Sequence, residues 1–195
     1  RVFFNEILQK EYPYDNEVQN SKHLKKVMAN ILDQFGDEVA VQTADAIKDL
    51  SFKYETVAGI STSKDDYPDF PEVEAMIAEG EGRAAAISPH FDEGLLTEDE
   101  RYRLTVDSWR KVDDEVAKHV KDNLAGLDTN ISIMTNSGAR GSAGNIKLAS
   151  ATIGIQVDVF NREIELPVKS SFKKALNTLE SFIATRGARQ GQVST

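Results

Sequence analysis

The residues best suited to chemistry lie in the stretch TNSGARGSAGN, which occupies residues 135–145. Its three glycines are spaced by three residues, and Arg140 lies among them. Successive glycine-containing residues can point several backbone N–H groups into one concavity that binds an anion. The forked guanidinium of Arg140 would add a permanent positive charge suited to phosphate oxygens. The alternative is a structural loop in which Arg140 pairs with a neighbouring carboxylate.

Residue spacing gives little support to other kinds of site. The glycine stretch matches neither the GxxxxGK[ST] nor the GxGxxG pattern, and Ser137 lacks the GxSxG context of a nucleophilic serine. His23, His90 and His119 are far apart and none has a partner four residues on, so a zinc site is not expected. We predict no metal ligands and no complete catalytic set in this chain.

A second stretch rich in glycine and arginine, TRGARQG, lies near the end of the sequence. It continues a helical pattern of apolar residues between Phe172 and Ile183, for which Ser170 or Ser171 is a plausible N-cap. The apolar repeat stops within TRGARQG, but no proline ends the helix. Glycine and arginine in place of leucine suit a helix to close approach or bending more than to burial.

The elements upstream are mainly helical. Apolar residues at helical spacing predict a helix over 21–35, with Ser21 as a possible N-cap and Gly36 as its stop. A second helix is predicted over about 37–53, and residues 57–71 then break the pattern.

The next two predicted helices form a long antiparallel hairpin. One covers about 71–91, where two glycines and a proline are expected to cause a kink or fraying. The other begins at the capping box TEDE and continues to about Leu124, with an apolar stripe that starts at Tyr102. Many acidic residues lie outside this stripe, so the hairpin is expected to project into solvent.

Beyond this hairpin the pattern changes. The stretch NISIM is short and apolar, and NIKLASATI is compatible with a brief helix. Alternating apolar residues on either side of Asn161 and Arg162 then predict a β-hairpin, with Pro167 marking its second strand as an edge. The sequence therefore predicts a mainly α fold with one small β-hairpin.

Charge is distributed unevenly along the chain. The net charge is −9, from 23 basic and 32 acidic residues. Residues 136–195 carry eight basic and four acidic side chains, a net charge of +4, so residues 1–135 carry −13. This asymmetry suggests that the basic end faces a polyanion, whereas the acidic end faces water or a basic protein. No apolar run is long enough to span a membrane and there is no cysteine, so we expect a cytoplasmic protein.

Six segments in order resemble one protein family. RVFFNEIL, AGIS followed by DD, GLLTEDERY, SGARGS, ELPVKSSF and ATRGARQG closely resemble consecutive segments of the beta-prime (largest) subunit of bacterial DNA-dependent RNA polymerase. The resemblance covers essentially the whole chain, and SGARGS combined with the later TxGARxG is highly specific. It implies that the chain is a piece of a longer protein.

The resemblance implies an organisation into three parts. Residues 1–53 would be the end of the pore domain, 54–135 the funnel domain, and 136–195 the start of the cleft domain, which ends in the first half of the bridge helix. The helical hairpin at 71–124 would form the rim of the secondary channel, through which nucleotides enter.

The resemblance also implies function. The full subunit would act as a DNA-directed RNA polymerase, and this chain would be inactive alone. Ser137, Gly138 and Arg140 would line the channel for the incoming nucleoside triphosphate. The bridge-helix residues near nucleic acid would be Arg186, Arg189 and Thr195. Catalytic magnesium would be held by aspartates of a NADFDGD pattern, which this sequence lacks.

Implied partners are the beta, alpha, omega and sigma subunits, the DNA template, RNA, nucleoside triphosphates, and elongation factors that dock on the rim helices. The implied location is the cytoplasm at the nucleoid, without membrane contact.

The sequence departs from the family at several positions. The family usually has His at Arg186 and Asp at Asn136 and Ser194, and it has GMRGLM where this chain has ATIGIQ at 151–156. The last departure leaves open whether this loop contacts the bridge helix. Two non-enzymatic alternatives also remain: a helical adaptor that presents its acidic arm to a basic partner, and a small anion-binding regulator.

Overall fold

The computed structural model describes residues 1–124, 126–127 and 129–195. Within these residues, the chain forms two compact units. The first unit contains Arg1–Ser63 and Asp128–Gly141, and the second contains Lys64–Leu127 and Ser142–Thr195. The glycine stretch at 135–145 is thus divided between the two units.

The regular structure of the described residues is helical, which confirms the predicted mainly α class. In chain order the helices are α1 (Val2–Glu6), α2 (Ser21–Phe35), α3 (Asp37–Ala58), α4 (Glu72–Asp92), α5 (Glu98–Leu124), α6 (Asn130–Ser137), α7 (Ala143–Ile146) and α8 (Thr178–Ser194). A short 3-10 turn covers Lys64–Asp66, and a π-helical turn, Lys147–Ala151, continues α7.

The core of the first unit lies between α1, α2 and α3. α2 is capped by Asn20, whose side chain accepts from the His23 N–H, so the predicted cap at Ser21 was one residue late. α3 runs five residues beyond its predicted end, until Gly59 adopts a left-handed conformation. The buried apolar residues of this core are Phe4, Leu8, Val27, Ile31 and Ala40.

Helices α4 and α5 form the predicted hairpin, which we call the arm. The capping box at the start of α5 is present, since Thr97 Oγ1 accepts from the Glu100 N–H and the Glu100 carboxylate accepts from the Thr97 N–H. α4 is continuous through Gly80 and Pro89, so the expected fraying does not occur. A Cβ at Gly80 would lie 2.6 Å from the Val112 side chain, which shows how closely the helices approach there. The buried residues of α5 are Val106, Trp109, Val112, Val116, Val120 and Leu124.

The predicted β-hairpin forms only in outline. The chain reverses between two isolated antiparallel bridges, Gly154 with Val168 and Val157 with Glu163, and the described residues contain no regular strand. The reversal is fixed by Asp158, whose carboxylate accepts from two backbone N–H groups of the turn. A two-stranded ribbon without further strands is marginal, which accounts for the limited pairing.

The last helix starts later than predicted. α8 begins at Thr178 and not after Ser170 or Ser171, because Ala175 has a left-handed φ of 67° and Asn177 provides the cap. Phe172, which the periodicity placed on the helix, lies before it and is exposed. The apolar period therefore continued past the true helix boundary.

The loop at 151–156 does contact α8. Ile153 is buried in one cluster with Val168 and with Ile183 of α8. Within the stretch ATIGIQ, the contact with α8 is thus made by an apolar side chain.

Candidate functional site

The end of α6 brings together three predicted site residues, Ser137, Gly138 and Arg140. α6 ends because Gly138 has a left-handed φ of 76°, which glycine adopts at little cost. The Gly138 N–H donates to the Thr135 carbonyl at 3.1 Å, and the Arg140 N–H donates to the Met134 carbonyl at 3.4 Å. Both groups complete the end of the helix.

The backbone here is not an empty anion nest. The Ser137 hydroxyl donates to the Met134 carbonyl at 2.9 Å and accepts from the Ala139 N–H at 3.3 Å. All three N–H groups of residues 138–140 therefore already have acceptors. An anion at this loop would be bound by the Arg140 guanidinium rather than by these amides.

The Arg140 side chain is available for such a contact. It is exposed, and within the described parts of the chain it makes no ion pair. The structure thus gives no support to the alternative in which Arg140 is bound to a neighbouring acid. Ser137 and Gly138 shape the turn that carries it.

Most other cations of the last third are occupied within the second unit. We call residues 162–174 the strap, because side chains along its length bind the arm. Two arm arginines bind the strap's acids: Arg101 reaches both carboxylate oxygens of Glu165 at 2.7 and 3.1 Å, and Arg110 reaches those of Glu163 at 2.6 and 3.0 Å. The strap's own Arg162 lies over the Tyr102 ring, 4.1 Å from its centre.

The strap lysines bind acids along and just before α4. Lys173 pairs with Asp69 at 2.8 Å and donates to the Tyr67 carbonyl at 2.7 Å. Two further pairs link strap and arm, namely Lys169 with Glu81 and Lys174 with Glu74. Some cations of the last third are thus used by acids within the same unit, and that part of its positive charge does not depend on a partner.

Helix α8 carries the remaining predicted site residues. Arg189 is exposed and Arg186 is half-buried, and neither makes an ion pair with a described residue. The Thr195 hydroxyl donates to the Gly191 carbonyl at 2.7 Å. A Cβ at Gly187 or Gly191 would meet no atom within 4 Å, so these two glycines do not allow close packing inside the unit. These residues belong to the second unit, whereas Arg140 belongs to the first.

Sequence reasoning missed two buried charged residues, Lys147 and Glu180. Lys147, on the π-helical turn, donates to Asp113 of α5 at 2.5 Å. A Cβ at Gly154 would collide with the same carboxylate, so Gly154 allows the loop to close over the pair. The spacing Asn177-x-x-Glu180 is a capping-box pattern that could have indicated Glu180. No comparable signal exists for Lys147.

Two further features concern metals and membranes. Among the described residues, no group of three or more His, Asp or Glu side chains is arranged to hold a metal ion. No helix in the described part of the chain is long and apolar enough to cross a membrane.

Comparison with known proteins identifies the family. Residues 96–181 match the model of RNA polymerase Rpb1, domain 4, so the arm's second helix, the strap and the start of α8 place the chain in the class of RNA polymerase largest subunits. Similar curated proteins are the DNA-directed RNA polymerase beta-prime subunits of Desulforamulus reducens, Kocuria rhizophila and Treponema denticola, at 37, 35 and 33% identity. Each match covers the whole of this chain but only 14 to 16% of the relative.

The chain belongs to the family of beta-prime subunits of DNA-directed RNA polymerase, and it spans about one sixth of the length of the relatives it matches.

Proposed function

We propose that this chain lines the nucleotide-entry channel of a DNA-directed RNA polymerase and supports template-directed RNA synthesis as part of the full subunit. One observation carries the proposal. Of the eight cations in residues 136–195, five make an ion pair or a ring contact, and the three that do neither with a described residue are Arg140, Arg186 and Arg189. These are the arginines that the family resemblance assigns to polyanionic ligands.

Arg140 is proposed to meet the triphosphate of the incoming nucleotide. A guanidinium can bind two phosphate oxygens at once, and it remains charged at every physiological pH. Because the turn at 137–140 has its own amides satisfied, the loop can hold Arg140 in place without a ligand. Ser137 and Gly138 then contribute by shaping the wall of the channel.

The second half of α8 is proposed to lie near nucleic acid. Arg186 and Arg189 provide positive charge for a phosphate backbone, which interacts with proteins mainly through Lys and Arg. Thr195 is the C-cap residue of the same helix and is exposed in this unit. Gly187 and Gly191 leave the helix surface open for close approach.

Magnesium belongs to the proposed reaction but not to this chain. Two magnesium ions stabilise the attacking and leaving oxygens in nucleotidyl transfer. The described residues do not fit such a site, since none of their acidic clusters could hold a metal. Any metal-dependent step is therefore assigned to residues elsewhere in the full subunit.

The partners of the proposed assembly follow from the family. They are the beta, alpha, omega and sigma subunits, template DNA, RNA and nucleoside triphosphates, with elongation factors at the rim formed by the arm. The division into pore (1–53), funnel (54–135) and cleft (136–195) parts belongs to the same proposal. The rival function, an adaptor that presents an acidic arm, is not favoured by the family assignment.

The decisive experiment is Arg140→Ala in the assembled polymerase, with single-nucleotide addition as the readout. Loss of a charged hydrogen bond to the triphosphate should lower kcat/KM by about 5-fold to 150-fold, which corresponds to roughly 1 to 3 kcal/mol. Arg103→Ala is the matched control, because Arg103 is an exposed arginine on α5. Equal kcat/KM for the two variants would remove the role of Arg140.

A further inference from the structure

The carboxylate of Glu180 joins the first turn of α8 to the end of the strap. Its Oε1 accepts from the N–H groups of Lys169 and Ser170, each at 3.0 Å. Its Oε2 accepts from the Asn177 N–H at 3.1 Å, while the Asn177 side chain accepts from the Glu180 N–H at 2.8 Å. One side chain thus binds three backbone amides from two separate stretches of chain.

The Glu180 carboxylate accepts more hydrogen bonds than a helix cap requires. A capping box needs only the reciprocal bonds between Asn177 and Glu180. The bonds to residues 169 and 170 are additional, and they require the carboxylate to be buried, with 8% of the residue exposed. Burial raises the pKa of Glu180, but the amides of Asn177, Ser170 and Lys169 outweigh it and hold the pKa below its usual value. The carboxylate therefore stays charged and bound at neutral pH.

The strap that Glu180 binds is itself fixed to the arm. Lys169, whose N–H binds Glu180, pairs through its side chain with Glu81 of α4. Lys173 is 14% exposed and holds both Asp69 and the Tyr67 carbonyl next to the start of α4. The chain of contacts from the arm to α8 therefore passes through residues 169–174 and ends at Glu180.

Beyond its first two turns, α8 has little to hold it within the unit. Ile183 packs with Ile153 and Val168, and no residue of α8 after Ile183 is buried. The start of the helix thus determines where the later arginines are presented. The first turns of α8 are held to the rest of the unit by the hydrogen bonds of Glu180 and by the packing of Ile183.

We propose that Glu180 is a positioning residue: it couples the strap, and through it the arm, to the direction of α8, and so places Arg186 and Arg189. This inference rests on the proposed function, because its consequence is measured in nucleotide addition. Glu180 itself touches neither substrate nor the reacting atoms. Its removal lets the helix start shift relative to the strap.

The test compares three variants in the assembled polymerase. Glu180→Ala removes every acceptor, whereas Glu180→Gln retains a side-chain oxygen that can bind the amides of residues 169 and 170. Ser181→Ala, at the adjacent exposed position, is the matched control. Assembly of each variant is checked by gel filtration before kcat and KM are measured for single-nucleotide addition. If Glu180→Ala does not assemble, Glu180→Asp, whose carboxylate is one methylene shorter, takes its place.

We expect Glu180→Ala to lower kcat on the order of 10-fold to 100-fold, the scale of effect that small misplacements produce. KM for the nucleotide should change by less than about twofold, because triphosphate contact is assigned to Arg140. Glu180→Gln keeps an acceptor for the N–H groups of residues 169 and 170 but turns an NH2 donor toward the Asn177 N–H, so it should recover only part of kcat. Ser181→Ala should match the parent enzyme.

The outcomes separate this inference from the function on which it rests. If Glu180→Ala behaves like Ser181→Ala while Arg140→Ala impairs addition, the coupling is wrong and the channel function stands. If neither Glu180→Ala nor Arg140→Ala affects addition, the proposed function itself fails.

Discussion

The strap and the second half of α8 carry similar cations and use them in opposite ways. Along the strap, Lys169, Lys173 and Lys174 are each bound to an acid near or on α4. Along α8, Arg186 and Arg189 have no such partner among the described residues. The strap's Arg162 is also engaged, over the Tyr102 ring, so an arginine can hold the fold as well as be left free.

The difference follows from what each segment packs against. The strap lies on a helical hairpin rich in acidic residues, so each of its lysines finds a carboxylate within the same unit. The second half of α8 extends past its last buried residue, Ile183, and meets no comparable surface within its unit. Substitutions of paired and of free side chains should therefore differ in their effect on stability.

The largest effect is expected from Asp113→Ala. This change leaves the ammonium of Lys147 without its carboxylate, and the Lys147 side chain is only 9% exposed. Leaving one partner of a buried pair unpaired should cost about 3 kcal/mol of unfolding free energy. Urea unfolding followed by the fluorescence of Trp109, the single tryptophan, measures it. Asp114→Ala, at the next and exposed position, should stay within about 0.5 kcal/mol of the parent. Equal effects would show that the pair is not structural.

A pair of glycine substitutions in α4 sharpens the contrast between packed and open surface. A Cβ at Gly80 would lie 2.6 Å from the Val112 side chain and 3.0 Å from the Trp109 ring, whereas one at Gly82 would meet nothing within 4 Å. Gly80→Ala should destabilise by about 1 to 2 kcal/mol, since overpacking exceeds the gain in helix propensity. Gly82→Ala should stabilise by up to about 1 kcal/mol. Circular dichroism during urea unfolding measures the free energy of unfolding of each variant. If Gly80→Ala and Gly82→Ala change it in the same direction, the close approach of α4 and α5 at Gly80 is contradicted.

The arm was predictable from sequence because its signals are local. The capping box at Thr97 and the apolar stripe from Val106 to Leu124 follow directly from helical spacing. The start of α8 was not predictable in this way. The apolar period continues through Phe172 and Leu176, which predicts an earlier start. The helix begins only at Thr178 because Ala175 has a left-handed conformation and because Glu180 binds the N–H groups of residues 169 and 170.

The candidate site was predictable only in part. Arg140 could be selected from its glycine-rich neighbours. The sequence left open whether the amides around it form an anion nest or a structural loop, and the end of α6 already uses the N–H groups of residues 138–140. Charge totals suggested that the last third faces a polyanion as a whole. They could not show that five of its eight cations are engaged within the fold, since every partner lies at least 34 residues away in sequence.

The smallest expected effect tests the division most directly. Arg140→Ala and Arg189→Ala should each leave the free energy of unfolding within about 0.5 kcal/mol of the parent, because both side chains are exposed and unpaired in the described structure. Lys173→Ala, which loses an ion pair and a bond to the Tyr67 carbonyl, should lower the urea midpoint measurably. If either arginine variant is as unstable as Lys173→Ala, that arginine has a structural role. Its loss of nucleotide addition could then no longer be assigned to ligand contact. A stable Arg140→Ala that is impaired in nucleotide addition would place that arginine among the cations that the fold leaves available.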